Sequence, residues 1–465
     1  MTKKLQVFKK AFASLIILFV SGSIAAPFEQ WNKTFGEKGD DSANSVIQTI
    51  DGGFLVAGRS SSKSFRYDAY LIKTDPDGNL QWSKRFGGNL QNIFKSISKT
   101  SDGDYIIAGI TNSARYADNT DAWLVKIDTN GSMIWNKTFG GEFDDIANSV
   151  IQTSDGGYVL AGAYGRDVNP FKYSWLIKTD AKGNLSWDKK FDNGEFKSIQ
   201  QTKDGGFIVA GFKSKIKAFV ETDPLIIKTD ANGKLLWSKT FEKEREDSFN
   251  FVQQTSDGGY IFSGYTDSME KGKYAAWFYK TDEKGNEQWS KIKSFGESWD
   301  DRSFSVEQTF DGGYLFTGYT ESIMKKRDVW LVKTDINGIE QWNKIIGGLS
   351  EDQVFSLQQT SDMGFILAGS TYSYGNGSSD AWLIKVSSDS DITPVISPTS
   401  TIIIVSIISP IPTPTIEINN TPETKNEAFK DIPTTTATPK IPGFGAIFTT
   451  GILLIVYLFK SKYKN

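Results

Sequence analysis

The chain holds 465 residues with no histidine and no cysteine, so any chemistry must rest on carboxylates, Tyr, Ser or Lys. Without histidine there is no ordinary general base near neutral pH and no imidazole for zinc or copper. Without cysteine there is neither a disulfide framework nor a thiolate metal site. Acidic pairs recur at similar places, Asp40-Asp41, Asp144-Asp145, Asp300-Asp301 and Glu351-Asp352, with Glu246-Asp247 similar. Segments of changing sequence between them carry Tyr67, Tyr116, Tyr173, Tyr274 and Tyr372. Rings stack on the C–H faces of sugars while carboxylates bond to hydroxyls, and calcium takes oxygen ligands. These residues are the candidate ligand-binding set, with Ca2+ the ion they suit. The alternative is that the acidic residues cap turns and keep the surface soluble.

A glycoside hydrolase needs two carboxylates at a set separation, which such pairs supply in principle. Near-identical pairs repeated along a chain argue for symmetry, whereas a catalytic site needs one asymmetric constellation. The expectation is a non-enzymatic chain with no required cofactor, and a carboxylate-dependent glycoside hydrolase is an alternative.

The elements that position these residues are set by a repeat. Trp31, Trp82, Trp135, Trp187, Trp237, Trp289 and Trp342 recur at intervals of 51, 53, 52, 50, 52 and 53 residues. Around them runs W-N-K-T-F-G-G, the acidic pair, S-V-I-Q-T, D-G-G-Y-x-L-A-G, a variable stretch, then D-A-W-L-I-K-T-D-x-x-G-N-L. A period near 50 marks a propeller or solenoid, because one unit cannot bury its apolar faces alone. In the first copy, residues 45–49, 54–58, 68–74 and 80–86 read as strands. Asp51-Gly52-Gly53 and Asp77-Gly78-Asn79 make tight turns, and a ten-residue loop separates the second strand from the third. Seven D-G-G-type turns begin at Asp51, Asp102, Asp155, Asp204, Asp257, Asp311 and Asp362. The seventh copy stops near residues 381–386 without its tryptophan strand, while an orphan strand of that sequence, 30–35, precedes the first copy.

The predicted fold is all-β: a seven-bladed β-propeller of four-stranded antiparallel blades, its ring closed by the N-terminal strand. The W-x-K-x-F strands and the series Trp123, Trp175, Trp277, Trp330 and Trp382 read as blade packing. The variable and inter-blade segments share one face, opposite the tight turns, and this loop face is where binding is expected.

The ends address the chain outward. Lys3, Lys4, Lys9 and Lys10 precede an apolar run and a small-residue stretch, the grammar of a signal peptide over 1–25. The propeller takes 26–388 and a Thr/Pro-rich stalk 389–440. Segment 441–465 is a hydrophobic helix followed by Lys460, Lys462 and Lys464, which place that end on the cytoplasmic side. The repeats are therefore expected outside the cell, membrane-anchored. A net charge of −3 argues against nucleic acid.

With the repeats laid out, F-G-G-x-x-D-D-x-A-N-S-V followed by D-G-G-Y-x-L-A-G resembles secreted β-propeller repeats of bacterial and archaeal surface proteins. Pro442-Gly443-Phe444, opening the apolar span after a Thr-rich stalk, resembles the PGF-CTERM sorting signal of archaeal surface proteins. That resemblance implies processing by an archaeosortase, removal of the helix and attachment to a lipid; a retained C-terminal anchor is the alternative. D-x-x-G-x-x-x-W is also similar to the tryptophan-docking repeat of quinoprotein propellers, though nothing singles out a quinone site. The Asp128 to Trp135 spacing is longer than in a sialidase Asp-box. Outside the cell, the N-x-S/T sequons at Asn32, Asn130, Asn136, Asn184, Asn376 and Asn419 become glycosylation candidates. The leading expectation is a surface-anchored propeller binding a carbohydrate or protein through its loop face; a structural surface-layer component is the competing class.

Overall fold

The computed structural model describes residues 28–388, apart from 64–65, 88–90, 113–118, 167–171, 217–219, 243–244, 271–272, 295–299 and 322–325. The expected leader, stalk and sorting segment, with Asn419, Pro442, Gly443 and Phe444, lie outside the described residues, as does Tyr116. Among the described residues no helix is long and apolar enough to cross a membrane.

The strands pair into seven four-stranded antiparallel sheets, each one blade. The N-terminal strand is β1 (Glu29–Phe35). Blade 1 then follows as β2 (Asp41–Gln48), β3 (Phe54–Lys63), β4 (Arg66–Thr74) and β5 (Leu80–Phe86), running from the central channel outward. The pattern recurs to the last strand, Asp380–Val386, whose outer neighbour is β1, with Trp31 opposite Lys385 and Phe35 opposite Ala381. The ring closes as the orphan strand predicted. The expected ten-residue loop is largely strand, however: β3 and β4 stay paired out to Lys63 opposite Arg66. Backbone ladders satisfy N–H and C=O groups whatever the side chains are, so variable sequence does not by itself mark a loop.

Apolar side chains gather in seven clusters that sit between blades. Leu55, Ala57 and Leu71 of blade 1 meet Phe94, Ile97 and Ile107 of blade 2. The closing seam joins Phe35, Ile366 and Leu383 to Val46, Val56 and Ile72. The ladder tryptophans lean from each outer strand onto the next blade, Trp31 to Phe54 at 5.8 Å and Trp289 to Tyr314 at 5.7 Å between ring centroids. The first six, Trp31 to Trp289, each meet the glycine of that blade's D-x-x-G turn. At Gly131 the φ is +72°, and a Cβ would come within 2.4 Å of the Trp82 ring, so conformation and space both demand glycine.

The tight turns form the lower face, and two polar devices repeat around it. Lys73, Lys126, Lys178, Lys228, Lys280, Lys333 and Lys385, with buried side chains, reach the seven D-G-G aspartates at 2.7–2.9 Å. Burial would raise these carboxyls, but lysine and threonine hydrogen bonds outweigh it and hold Asp102, Asp155 and Asp204 down at about 2. The second device is a glutamine clamp between blades. Gln152 accepts the Ser101 backbone N–H of the preceding blade at 2.7 Å and donates to Gly156 of its own turn at 3.3 Å. Gln201, Gln254, Gln308, Gln359 and Gln48 do the same at their seams. The seventh position, in blade 2, is Lys99.

Candidate functional site at the upper channel mouth

The opposite, upper face carries the inter-blade connections and the acidic pairs. The second member of each pair is fully buried: Asp41, Asp145, Asp247, Asp301 and Asp352 are each 0% exposed. Asp145 accepts the Gly141 N–H at 2.7 Å and the Gly165 N–H at 2.8 Å, tying an inter-blade loop to a hairpin. Burial pushes its carboxyl up to about 6 despite those bonds. Asp41 accepts the Glu37 N–H at 2.9 Å, and Asp352 the Gly348 N–H at 2.8 Å and the Ser373 hydroxyl at 2.7 Å. Asp41, Asp145 and Asp352 are held within the fold as loop anchors.

The first members differ among themselves. Asp144 accepts from the Thr120 backbone at 2.8 Å, Asp40 bridges to Ser379 through its backbone, and Glu351 is exposed. Asp300 takes the Arg302 Nε at 2.6 Å and the Tyr319 hydroxyl at 2.9 Å. Arg302 lies 4.4 Å from the Tyr265 ring and 4.0 Å from the Tyr274 ring, and Tyr274 donates to Glu246 at 2.9 Å. Tyr67 lies under Arg59 at 4.4 Å, Tyr173 is 6.4 Å from Tyr164, and Tyr372 is 49% exposed. The expected set is thus distributed around the ring rather than gathered. Among the described residues no group of three or more acidic side chains could hold a metal ion. The sequon residues Asn32 and Asn136 are exposed on outer strands, and Asn130, Asn184 and Asn376 are exposed in turns and a loop.

What does converge is a ring that sequence reasoning missed. Every inner strand carries a β-bulge at the same place, in β2 between Ala43 and Ser45 and in blade 2 between Phe94 and Ser96. A bulge leaves one residue unpaired and re-aims its side chain. Here the unpaired residues are Asn44, Lys95, Asn148, Lys197, Asn250, Phe304 and Phe355, and all seven line one cavity of about 350 Å³ at the upper mouth of the channel. The glycine of each L-A-G motif makes room, since a Cβ on Gly109 would stand 1.9 Å from the Ile93 carbonyl oxygen.

The three asparagines latch blades together. Asn44 donates to Phe94 O, Asn148 to Phe196 O and Asn250 to Ser303 O, each at 2.8 Å. The two lysines and two phenylalanines make no such latch. Lys197 pairs with buried Glu195 at 2.7 Å, and Asn148 donates to the same carboxylate at 2.7 Å. Burial would raise Glu195, but Lys197 and Lys95 outweigh it and hold it below the usual range. Lys95 is half-buried, and loss of water around its ammonium brings it down to about 8, with Lys197 and Arg59 adding repulsion. Phe304 and Phe355 meet edge to face at 5.6 Å on the other arc. The mouth therefore has a cationic arc and an aromatic arc. The sequence signal was available: in a column that precedes S-V-I-Q-T in an otherwise repeating motif, the residue changes from Asn to Lys to Phe.

No family model matches the chain, and no curated protein matches it. Solved structures similar to it include the Dos1 propeller, at 11% identity over 78% of this chain and 96% of that one, TM-score 0.47. Another is Sqt1 from Chaetomium thermophilum, at 10% identity over 72% and 83%, TM-score 0.44. The C-terminal WD40 domain of Sif2 follows at 9% identity over 76% and 98%, TM-score 0.42. The propeller fold of this chain rests on its own strand pairing, and it is a scaffold of the kind that carries binding loops on one face.

Proposed function

We propose that the chain is a non-enzymatic binding platform, displayed at the cell surface, that takes a carbohydrate on its upper face. One observation carries the reading. The residues that repeat are structural, whereas the bulge ring breaks the repeat where seven side chains, one from each blade, share a cavity at the upper mouth. Amide and ammonium donors beside two phenylalanine rings match a sugar, whose hydroxyls need partners and whose C–H face needs a ring. Surface display is supported by the leader pattern at 1–25 and the apolar, basic-ended segment 441–465. The Pro442-Gly443-Phe444 motif supports exchange of that segment for a lipid.

A protein partner is the second reading, favoured by Leu349 and Tyr372, which are 84% and 49% exposed on blade 7's side of the same face. A glycan array probed with the full chain tests the first reading. Binding that Phe355→Ala abolishes supports it, while an array without signal, alongside protein capture lost in Leu349→Asp, supports the second. Mass spectrometry of the mature protein checks anchoring: a mass that retains the residues after Pro442 overturns the sorting reading.

A further inference from the structure

The cationic arc of the mouth is charged beyond what its own neighbours balance. Lys95, Lys197 and Arg59 line it, and Glu195, already bonded to Lys197 and Asn148, is the carboxylate beside them. Among the described residues the buried Arg59 Nε has no hydrogen-bond partner, and half-buried Lys95 is attracted by Glu195 while Lys197 and Arg59 repel it. A buried donor without an acceptor is costly, and a desolvated cation more so. A neutral sugar would offer hydroxyls here but no charge. A bare inorganic anion would answer the charge and leave Phe304 and Phe355 without a role.

We propose that the mouth binds an acidic saccharide, with a uronate carboxylate between Lys95 and Arg59 and the pyranose face against Phe304 and Phe355. The proposal rests on the carbohydrate reading above and names its class. Charge and ring are one ligand because both arcs bound the same cavity of about 350 Å³, a volume within the usual range for small-ligand sites. Lys197, neutralised by Glu195, orients and gives selectivity, while Lys95 and Arg59 carry the carboxylate.

Calorimetric titration of the full chain with galacturonate, glucuronate and mannuronate oligomers, their methyl esters, and sodium sulfate tests this. At least one acid binds, its ester binds about tenfold or more weakly, and rising salt weakens the acid selectively. Lys95→Gln lowers affinity for the acid about tenfold and leaves the ester unchanged, while Phe355→Ala lowers both. Equal binding of acid and ester, with Lys95→Gln silent, overturns the acidic class and leaves the carbohydrate reading standing. Sulfate binding as tight as the acid's, indifferent to Phe355→Ala, overturns the saccharide in favour of a simple anion site. No binding of any probe by chain with native near-ultraviolet circular dichroism overturns the proposal, and the glycan array then decides the broader reading separately.

Discussion

The two faces of this ring are built by opposite rules. On the lower face the same lysine and aspartate return in every blade and the clamping glutamine in six of the seven, their bonds closed within the turns and seams. On the upper face the anchoring aspartates repeat, but the residues at the mouth do not, and the buried Arg59 Nε there has no hydrogen-bond partner among the described residues. Repetition follows stability, because every seam poses the same packing problem. A ligand poses a single problem, so its residues break the pattern.

The largest effect expected from a lower-face change is at Lys333, whose side chain is fully buried while its Nζ bonds Asp311 at 2.7 Å, Gln341 at 3.0 Å and the Thr334 carbonyl at 3.2 Å. Lys333→Ala loses all three and the packing of the stem, and should cost about 3 kcal/mol in urea unfolding. Ligand affinity at saturating stability should not move; if it does, the faces are coupled. Next, Gly109→Ala places a Cβ on the Ile93 carbonyl and should cost about 2 kcal/mol. Because it disturbs the bulge that aims Lys95, it should also weaken binding, unlike Lys333→Ala. A loss confined to stability would separate the bulge from the site.

Acidity should divide the faces by sign. Asp102, Asp155 and Asp204 sit at about 2, below an unfolded carboxyl near 4, so their stabilisation is present above pH 4 and lost as pH falls toward 2. Asp145 sits at about 6, so its contribution is full below pH 4 and lost as pH rises from 4 to 6. Protection factors at Gly141 and Gly165, corrected for the intrinsic rise of exchange with pH, should therefore fall several-fold between pH 4 and 6, and Asp145→Asn should remove that fall. A rise in protection over the same interval would contradict the assignment. The smallest change is a gain. Lys99→Gln should supply the seventh clamp, accepting the Ile50 N–H, and add about 0.5 kcal/mol to the midpoint stability.

The architecture was legible because its causes are periodic. The tryptophan ladder, the D-G-G turns and the orphan strand at residue 30 specified blade number and closure. Extension of β3 and β4 was not legible, since backbone pairing leaves no signature in side chains. The acidic pairs drew attention by repeating, and repetition is what a loop anchor such as Asp145 needs at every seam. Lys95 and Phe304 were overlooked because only the bulge, a backbone event, puts their column at the channel mouth. The lysines of the W-L-I-K-T strand recur in the sequence, but their partner lies across a turn some 22 residues earlier in blades 1 and 6.

The closure of the ring by β1 has a consequence in time. The Phe28 amide bonds the Ser387 hydroxyl 359 positions later, so the first strand has no partner until the last one exists. At roughly 5–20 residues per second of synthesis, β1 waits some 20–70 s with an open edge. An unpaired edge invites the wrong neighbour. Its sequence, EQWNKTF, is mostly polar, with one tryptophan and one phenylalanine, and carries Lys33 next to its centre. The strand that waits longest is thus also among those least inclined to pair with a stranger.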